Sequence, residues 1–229
     1  MSENNPLHGR GILTPLQKRF LELFANLPDQ DQFYLAGGTA LSEYYLGHRL
    51  SYDLDIFSGT DRLIQPTSFQ VEKMCAANNI PIKVVRRFAT FVEFLVGEGE
   101  ESFKVDMALD SPFRLEPTLL SETGVQVNNY TDLRADKILA YFGRSEPRDA
   151  VDVYFILQNE SLETLMEQAA QKDTGFDAYW FAIALNRVEK FPDELENWPV
   201  KMLKPIDARD LKSTFQKLAL ELMKKSSPE

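Results

Sequence analysis

An alternation of acidic and apolar residues, Ser51-Tyr52-Asp53-Leu54-Asp55-Ile56-Phe57, follows closely on the segment Phe33-Tyr34-Leu35-Ala36-Gly37-Gly38-Thr39. Period-two alternation marks a strand, here Asp53 to Phe57, with one wet and one buried face. Phe33 to Ala36 reads as a short buried strand, Gly37-Gly38 as a tight turn, and Thr39 to Leu46 as a helix. This pairing constrains the fold more than any other part of the chain, because it sets two carboxylates at the mouth of a glycine bend.

The rest of the sequence falls into a mixed half and a helical half. Thr14-Pro15-Leu16-Gln17 is a helix start: Thr14 caps, Pro15 suits the first turn and Gln17 completes a capping box. Phe20, Leu21, Leu23 and Phe24 continue at helical spacing. Ser68 to Asn79 reads as a helix. Strands follow at Ile82 to Phe88, Thr90 to Val96 and Ser102 to Leu109, with Glu98-Gly99-Glu100-Glu101 as the turn between the last two. Pro112 and Pro117 close this β-rich stretch. Helices are expected at Asp132 to Phe142, from Ser145 to about Gln158, and at Leu162 to Gln171, Ala178 to Glu189 and Asp207 to Lys225. The arrangement is α+β, with an α/β core in 1–125 and a helical part in 126–229.

Bulk properties exclude several classes. A chain of 229 residues with 44% apolar content can bury one sizeable core, with or without a helical annex. No apolar run approaches the roughly 20 residues that span a bilayer. The N-terminal Met1-Ser2-Glu3-Asn4-Asn5-Pro6 is polar, unlike a secretory leader. The single cysteine, Cys75, can form no internal disulfide, and a cytoplasmic location is expected. A net charge of −10 argues against a nonspecific nucleic-acid binder. It leaves room for a local basic groove built from Arg86, Arg87, Arg134, Lys137, Arg144 and Arg148.

Asp53 and Asp55 share a strand face, with Cα atoms about 7 Å apart. Tyr52, Leu54 and Ile56 are expected to take the other face, into the core. In Phe103-Lys104-Val105-Asp106-Met107-Ala108, Asp106 also leaves the apolar face and offers a third carboxylate. Two such charges about 5 Å apart repel by roughly 3 kcal/mol at an effective dielectric near 20. A raised pKa or a bound cation must relieve this. Oxygen ligands suit Mg²⁺ or Mn²⁺, and paired ions can activate a hydroxyl and stabilise a leaving pyrophosphate. Taken alone, Asp-x-Asp more often describes an exposed strand face, and the Gly-Gly turn upstream shifts that balance.

Gly37 and Gly38 allow backbone N–H groups to gather at a helix start, which attracts phosphate, and Thr39 adds a hydroxyl donor. Arg49 and Ser51 can bind phosphate or brace the strand. Lys137 lies on a partly apolar helix face and either snorkels to solvent or reaches a triphosphate. Arg148 and Asp152, four apart, can pair. Asp152 sits among apolar residues and needs a partner, Lys137 or Arg148. His8 and His48 have no partner at metal-ligand spacing.

Four ordered segments carry a resemblance. They are Tyr34-Leu35-Ala36-Gly37-Gly38-Thr39-Ala40-Leu41, His48 to Phe57, Asp136-Lys137-Ile138-Leu139-Ala140, and Arg148-Asp149-Ala150-Val151-Asp152-Val153-Tyr154. Together they resemble the AbiEii-type nucleotidyltransferase toxins of the DNA polymerase β-like superfamily. The resemblance implies a polymerase β-like mixed sheet with flanking helices. It also implies Mg²⁺-dependent transfer of a nucleotide from an NTP to an acceptor hydroxyl, with tRNA 3′ ends as acceptors in related toxins and a cognate antitoxin opposing the activity. Carried over by motif, Gly37, Gly38 and Thr39 hold phosphate, and Asp53 and Asp55 hold metal. Asp106 matches the third carboxylate through its strand context. Lys137 contacts the triphosphate, and Asp152 matches the last acidic position. Arg148, beside that motif, joins the groups offered to the nucleotide. The rival expectation is a nucleotide-binding or protein-interaction module on the same fold, without catalysis.

Overall fold

The computed structural model describes residues 5–226. Part of the polar N-terminal stretch (residues 1–4) lies outside the described residues. The chain divides into two units, Met1–Gly47 with Ser51–Tyr130, and His48–Leu50 with Thr131–Glu229.

The first unit is built on a seven-stranded mixed sheet. Its strands are β1 (Tyr34–Ala36), β2 (Leu54–Ser58), β3 (Ile82–Arg87), β4 (Phe91–Val96), β5 (Phe103–Leu109), β6 (Leu119–Leu120) and β7 (Gln126–Val127). They lie in the order β3-β4-β5-β2-β1-β7-β6. β2 runs antiparallel to β1 and parallel to β5. β6 and β7 were not expected from sequence, because two-residue strands carry no legible period. β7 also lies beyond the division at 125/126 drawn from sequence.

Alternation sets the two faces of this sheet. Leu54, Ile56, Val92, Phe94, Val105 and Met107 are all buried. The aromatic residues of helix α1 (Pro15–Phe24) extend this core, Phe20 edge-on to Phe103 at 5.9 Å and Phe24 to Phe33 at 5.8 Å. Each such side chain contributes about 1.5–3 kcal/mol by leaving water. The Thr14–Gln17 capping box forms as read, and Gln17 also donates to the Tyr52 carbonyl at 2.7 Å. Tyr52 itself is 55% exposed, against its expected place in the core: it precedes β2, so strand alternation does not govern it. Helix α3 (Ile64–Ala77) starts four residues before the expected Ser68.

After β1 the chain forms a four-residue helix, α2 (Gly37–Ala40), that continues as a π-helical stretch over Leu41–Leu46. Glu43, buried there, accepts backbone N–H groups of Gly11, Ile12 and Leu13 and pins the N-terminal segment.

The second unit is helical: α4 (Tyr130–Arg144), α5 (Pro147–Ile156), α6 (Leu162–Lys172), α7 (Ala178–Asn186) and α8 (Ala208–Ser226). Ser161 and Asp177 cap α6 and α7 through side-chain oxygens, as short polar residues do at helix starts. Leu133, Ile138, Tyr141, Val151, Phe181, Leu185 and Phe215 form its buried core. His48–Leu50 joins this unit as an edge, with Arg49 bridged to Met202 and the Leu50 N–H donating to Lys201.

Candidate active site

In the first unit, sheet register gathers the predicted groups. Ala36 of β1 pairs with Asp55 of β2, Asp55 with Asp106 of β5, and Asp106 with Glu93 of β4. Neighbouring strands lie about 4.8 Å apart, so the three carboxylates form one row on the face opposite the core. Gly37, directly after β1, has φ +67°, and a Cβ there would meet Asp55 Oδ2 at 1.8 Å. Only glycine combines that conformation with that approach. The Asp55 carboxylate therefore lies directly against the glycine bend.

Asp53 sits one residue before β2. Its carbonyl accepts the Thr39 hydroxyl, and Thr39 is fully buried. Thr39, expected as a phosphate donor, ties the start of the acidic strand to the glycine bend through its hydroxyl. Ala36 provides no side-chain cap for α2, so the first-turn amides have no side-chain acceptor at that position.

Asp106 shows how the row of acids is relieved. Its Oδ2 is ion-paired with Lys104 Nζ at 2.7 Å, while its Oδ1 is buried without a hydrogen-bond partner. Glu93 is paired with Arg86 at 3.4 Å. Burial pulls the Lys104 pKa down, but the bond and charge of Asp106, with Asp53 and Glu93 near, outweigh it and leave a net rise. Among the described residues, no three His, Cys, Asp or Glu side chains form a ready cage for a metal ion. An ammonium, Lys104 Nζ, supplies part of the relief that these charges in register need. The donor set still fits a hard divalent ion: two carboxylates in register and an orphaned oxygen, with only a side-chain amine on Asp106 in the way.

In the second unit, Asp152 on α5 is 0% exposed and fully compensated. Arg49 reaches it through Nε at 2.6 Å and Nη2 at 2.8 Å, His48 Nε2 at 2.8 Å, and Lys137 of α4 at 2.7 Å. Burial alone would raise the Asp152 carboxyl. The charges of Arg49 and Lys137, with hydrogen bonds from Arg49 and His48, hold it well below the usual carboxylate range. His48 is pushed down by burial, which its bond to Asp152 only partly offsets. Its Nδ1 is buried with no hydrogen-bond partner, and its ring lies 5.0 Å from that of Phe155. Asp149, also fully buried, accepts both Arg144 Nε at 2.6 Å and Nη2 at 2.8 Å.

Of the two partners expected for Asp152, the structure selects Lys137. Arg148, expected to pair with it through the i,i+4 spacing, instead binds Glu146 at 2.8 Å, because Asp152 points into the core and Arg148 stays half-exposed. Arg49 binds the Asp152 carboxylate, a partner that strand bracing does not describe. Ser51 lies between the Arg49 segment and Asp53, half-buried. Sequence reasoning missed His48, Lys104 and Glu93. A histidine beside an arginine just ahead of the acidic strand, and a lysine two residues from Asp106, were the available signals.

The fold is that of the nucleotidyltransferases. More narrowly, the chain belongs to the AbiEii family, the nucleotidyl transferase toxins of type IV toxin–antitoxin systems, whose sequence profile matches residues 19–226. An H. pylori protein assigned to the nucleotidyltransferases superposes with a TM-score of 0.60 at 16% identity, covering 92% of each chain. The nucleotidyltransferase toxin MenT4 of Mycobacterium tuberculosis gives 0.53 at 16% identity, covering 90% of this chain and 81% of its own. The uncharacterized protein aq_aa25 of Aquifex aeolicus (strain VF5) is 26% identical over 184 residues, 79% of this chain and 84% of that one. Among the described residues, no helix is long and apolar enough to cross a membrane.

Proposed function

We propose that this protein is a Mg²⁺-dependent nucleotidyltransferase toxin of the cytoplasm that moves a nucleotide from an NTP to an acceptor hydroxyl, with the 3′ end of tRNA as acceptor and an antitoxin as its natural opponent. The observation that carries the reading is the Asp55 carboxylate set against Gly37, with Asp106 in register beside it. Asp53, Asp55 and Asp106 hold Mg²⁺, or Mn²⁺ in its place. The amides of Gly37, Gly38 and Thr39 receive phosphate oxygens. The bound metal supplies charge neutralisation at the phosphates and a more acidic hydroxyl. The acceptor oxygen bonds to the α-phosphorus as the bond to the pyrophosphate oxygen breaks, and the hydroxyl proton passes to a carboxylate of the sheet face. Lys137, oriented by Asp152, contributes positive charge toward the triphosphate. Ser51 and Arg148 add donors for it, and Arg49 acts by bracing Asp152.

Purified protein given labelled NTPs, Mg²⁺ and total RNA should transfer label and release pyrophosphate. Equal transfer by Asp53→Ala would exclude this role. One observation favours the non-catalytic module: an ammonium already neutralises Asp106. Tight nucleotide binding with no turnover on any acceptor would establish that alternative.

A further inference from the structure

Lys104 has no place in the reading above, yet it lies within the acidic row. It is on β5, two residues before Asp106, so both side chains leave the same face of the sheet. Its Nζ is 2.7 Å from Asp106 Oδ2, and its side chain is 38% exposed against 16% for Asp106. Asp53 and Glu93 also lie near enough to act on its charge, but Glu93 has its own partner in Arg86. The second oxygen of Asp106 is buried and unbonded. A buried carboxylate oxygen without a donor is costly, so Asp106 is held by one removable cation and remains undersatisfied.

We infer that Lys104 is a resident counter-ion that competes with the divalent metal for Asp106, and that metal entry requires its ammonium to swing out to solvent. The inference rests on the metal-dependent reading. Lys104 is a positioning residue in this scheme: it offsets one charge of the acidic row before the metal arrives, and it sets the metal concentration at which the site fills. The exchange replaces one charge-assisted hydrogen bond with metal–oxygen bonds and leaves the ammonium hydrated. A long, partly exposed lysine stem allows that movement without disturbing the strand.

Direct Mn²⁺ binding to the purified chain, followed by electron paramagnetic resonance of the free ion, tests this without reference to activity. Lys104→Gln should bind Mn²⁺ about tenfold more tightly than wild type, the scale of one lost charge-assisted hydrogen bond. Lys104→Arg, which keeps the charge, should stay close to wild type. In an Asp106→Asn background the Lys104→Gln gain should disappear. Equal Mn²⁺ affinity in wild type and Lys104→Gln overturns the counter-ion role alone. Absence of Mn²⁺ binding in both proteins overturns the metal-dependent reading and the counter-ion role with it.

Discussion

Two carboxylates of this protein, Asp106 and Asp152, are treated in opposite ways. Asp152 is entirely buried and accepts from Arg49, His48 and Lys137. Asp106 has one lysine and one oxygen with nothing to accept from. A buried charge survives only when paired and fully hydrogen-bonded, and Asp152 meets that condition within its own unit. Asp106 does not, and the shortfall sits beside Asp55, the acid that lies against the glycine bend. The contrast separates a carboxylate whose acceptors are all used within the fold from one that keeps an unused acceptor.

Asp152→Ala should give the largest effect. It takes the nearest carboxylate from two buried permanent cations, Arg49 and Lys137, and we expect a loss of about 3–5 kcal/mol, measured by urea unfolding; a loss below about 1 kcal/mol would remove the distinction. Asp55→Ala should act chiefly on activity. Nucleotide transfer should fall at least about a hundredfold, while unfolding stability falls less than in Asp152→Ala. Gly37→Ala comes next. The left-handed backbone and the 1.8 Å approach to Asp55 Oδ2 should cost about 1–3 kcal/mol and displace Asp55, so both stability and activity should drop; a thermal melt and the transfer assay together show whether they do.

The smallest effect should appear in pH dependence. The His48 pKa is lowered in the folded protein, so the unfolded chain takes up a proton first. The stability contributed by neutral His48 is complete above the unfolded value of about 6.5 and is lost as pH falls below it toward the folded value. The depressed Asp152 carboxyl acts in a more acidic window: its contribution is present above about 3.9 and is lost as pH falls through its lower folded value. Unfolding free energy should therefore decline in two stages on acidification, and His48→Gln should flatten only the first. A single decline near pH 4 in wild type would mean that His48 is not held neutral.

Much of the first unit was legible because its signals are local. The alternation through Leu54, Asp55 and Ile56 matches the observed faces, and the same logic on β5 gave the face of Asp106, which the sheet register then sets beside Asp55. What escaped was nonlocal or lacked a period. Arg49 and Asp152 are 103 residues apart, and no spacing rule connects them. The i,i+4 rule paired Asp152 with Arg148 because it describes helix geometry and knows nothing of which side is buried. Lys104 was passed over because strand reasoning sorts side chains by face but does not say which of them fold onto each other. The π-helical stretch after Ala40 has the composition of an ordinary helix, and its wider turn cannot be read from residue types.

The short segment His48–Leu50 belongs to the helical unit although the chain on either side belongs to the other. A fragment starting at residue 131 would arrive without the arginine and the histidine, leaving Asp152 one lysine to answer it. The C-terminal helices are thus no detachable appendage: trimming or transplanting them along the obvious seam would leave an acid in their interior with too few donors around it.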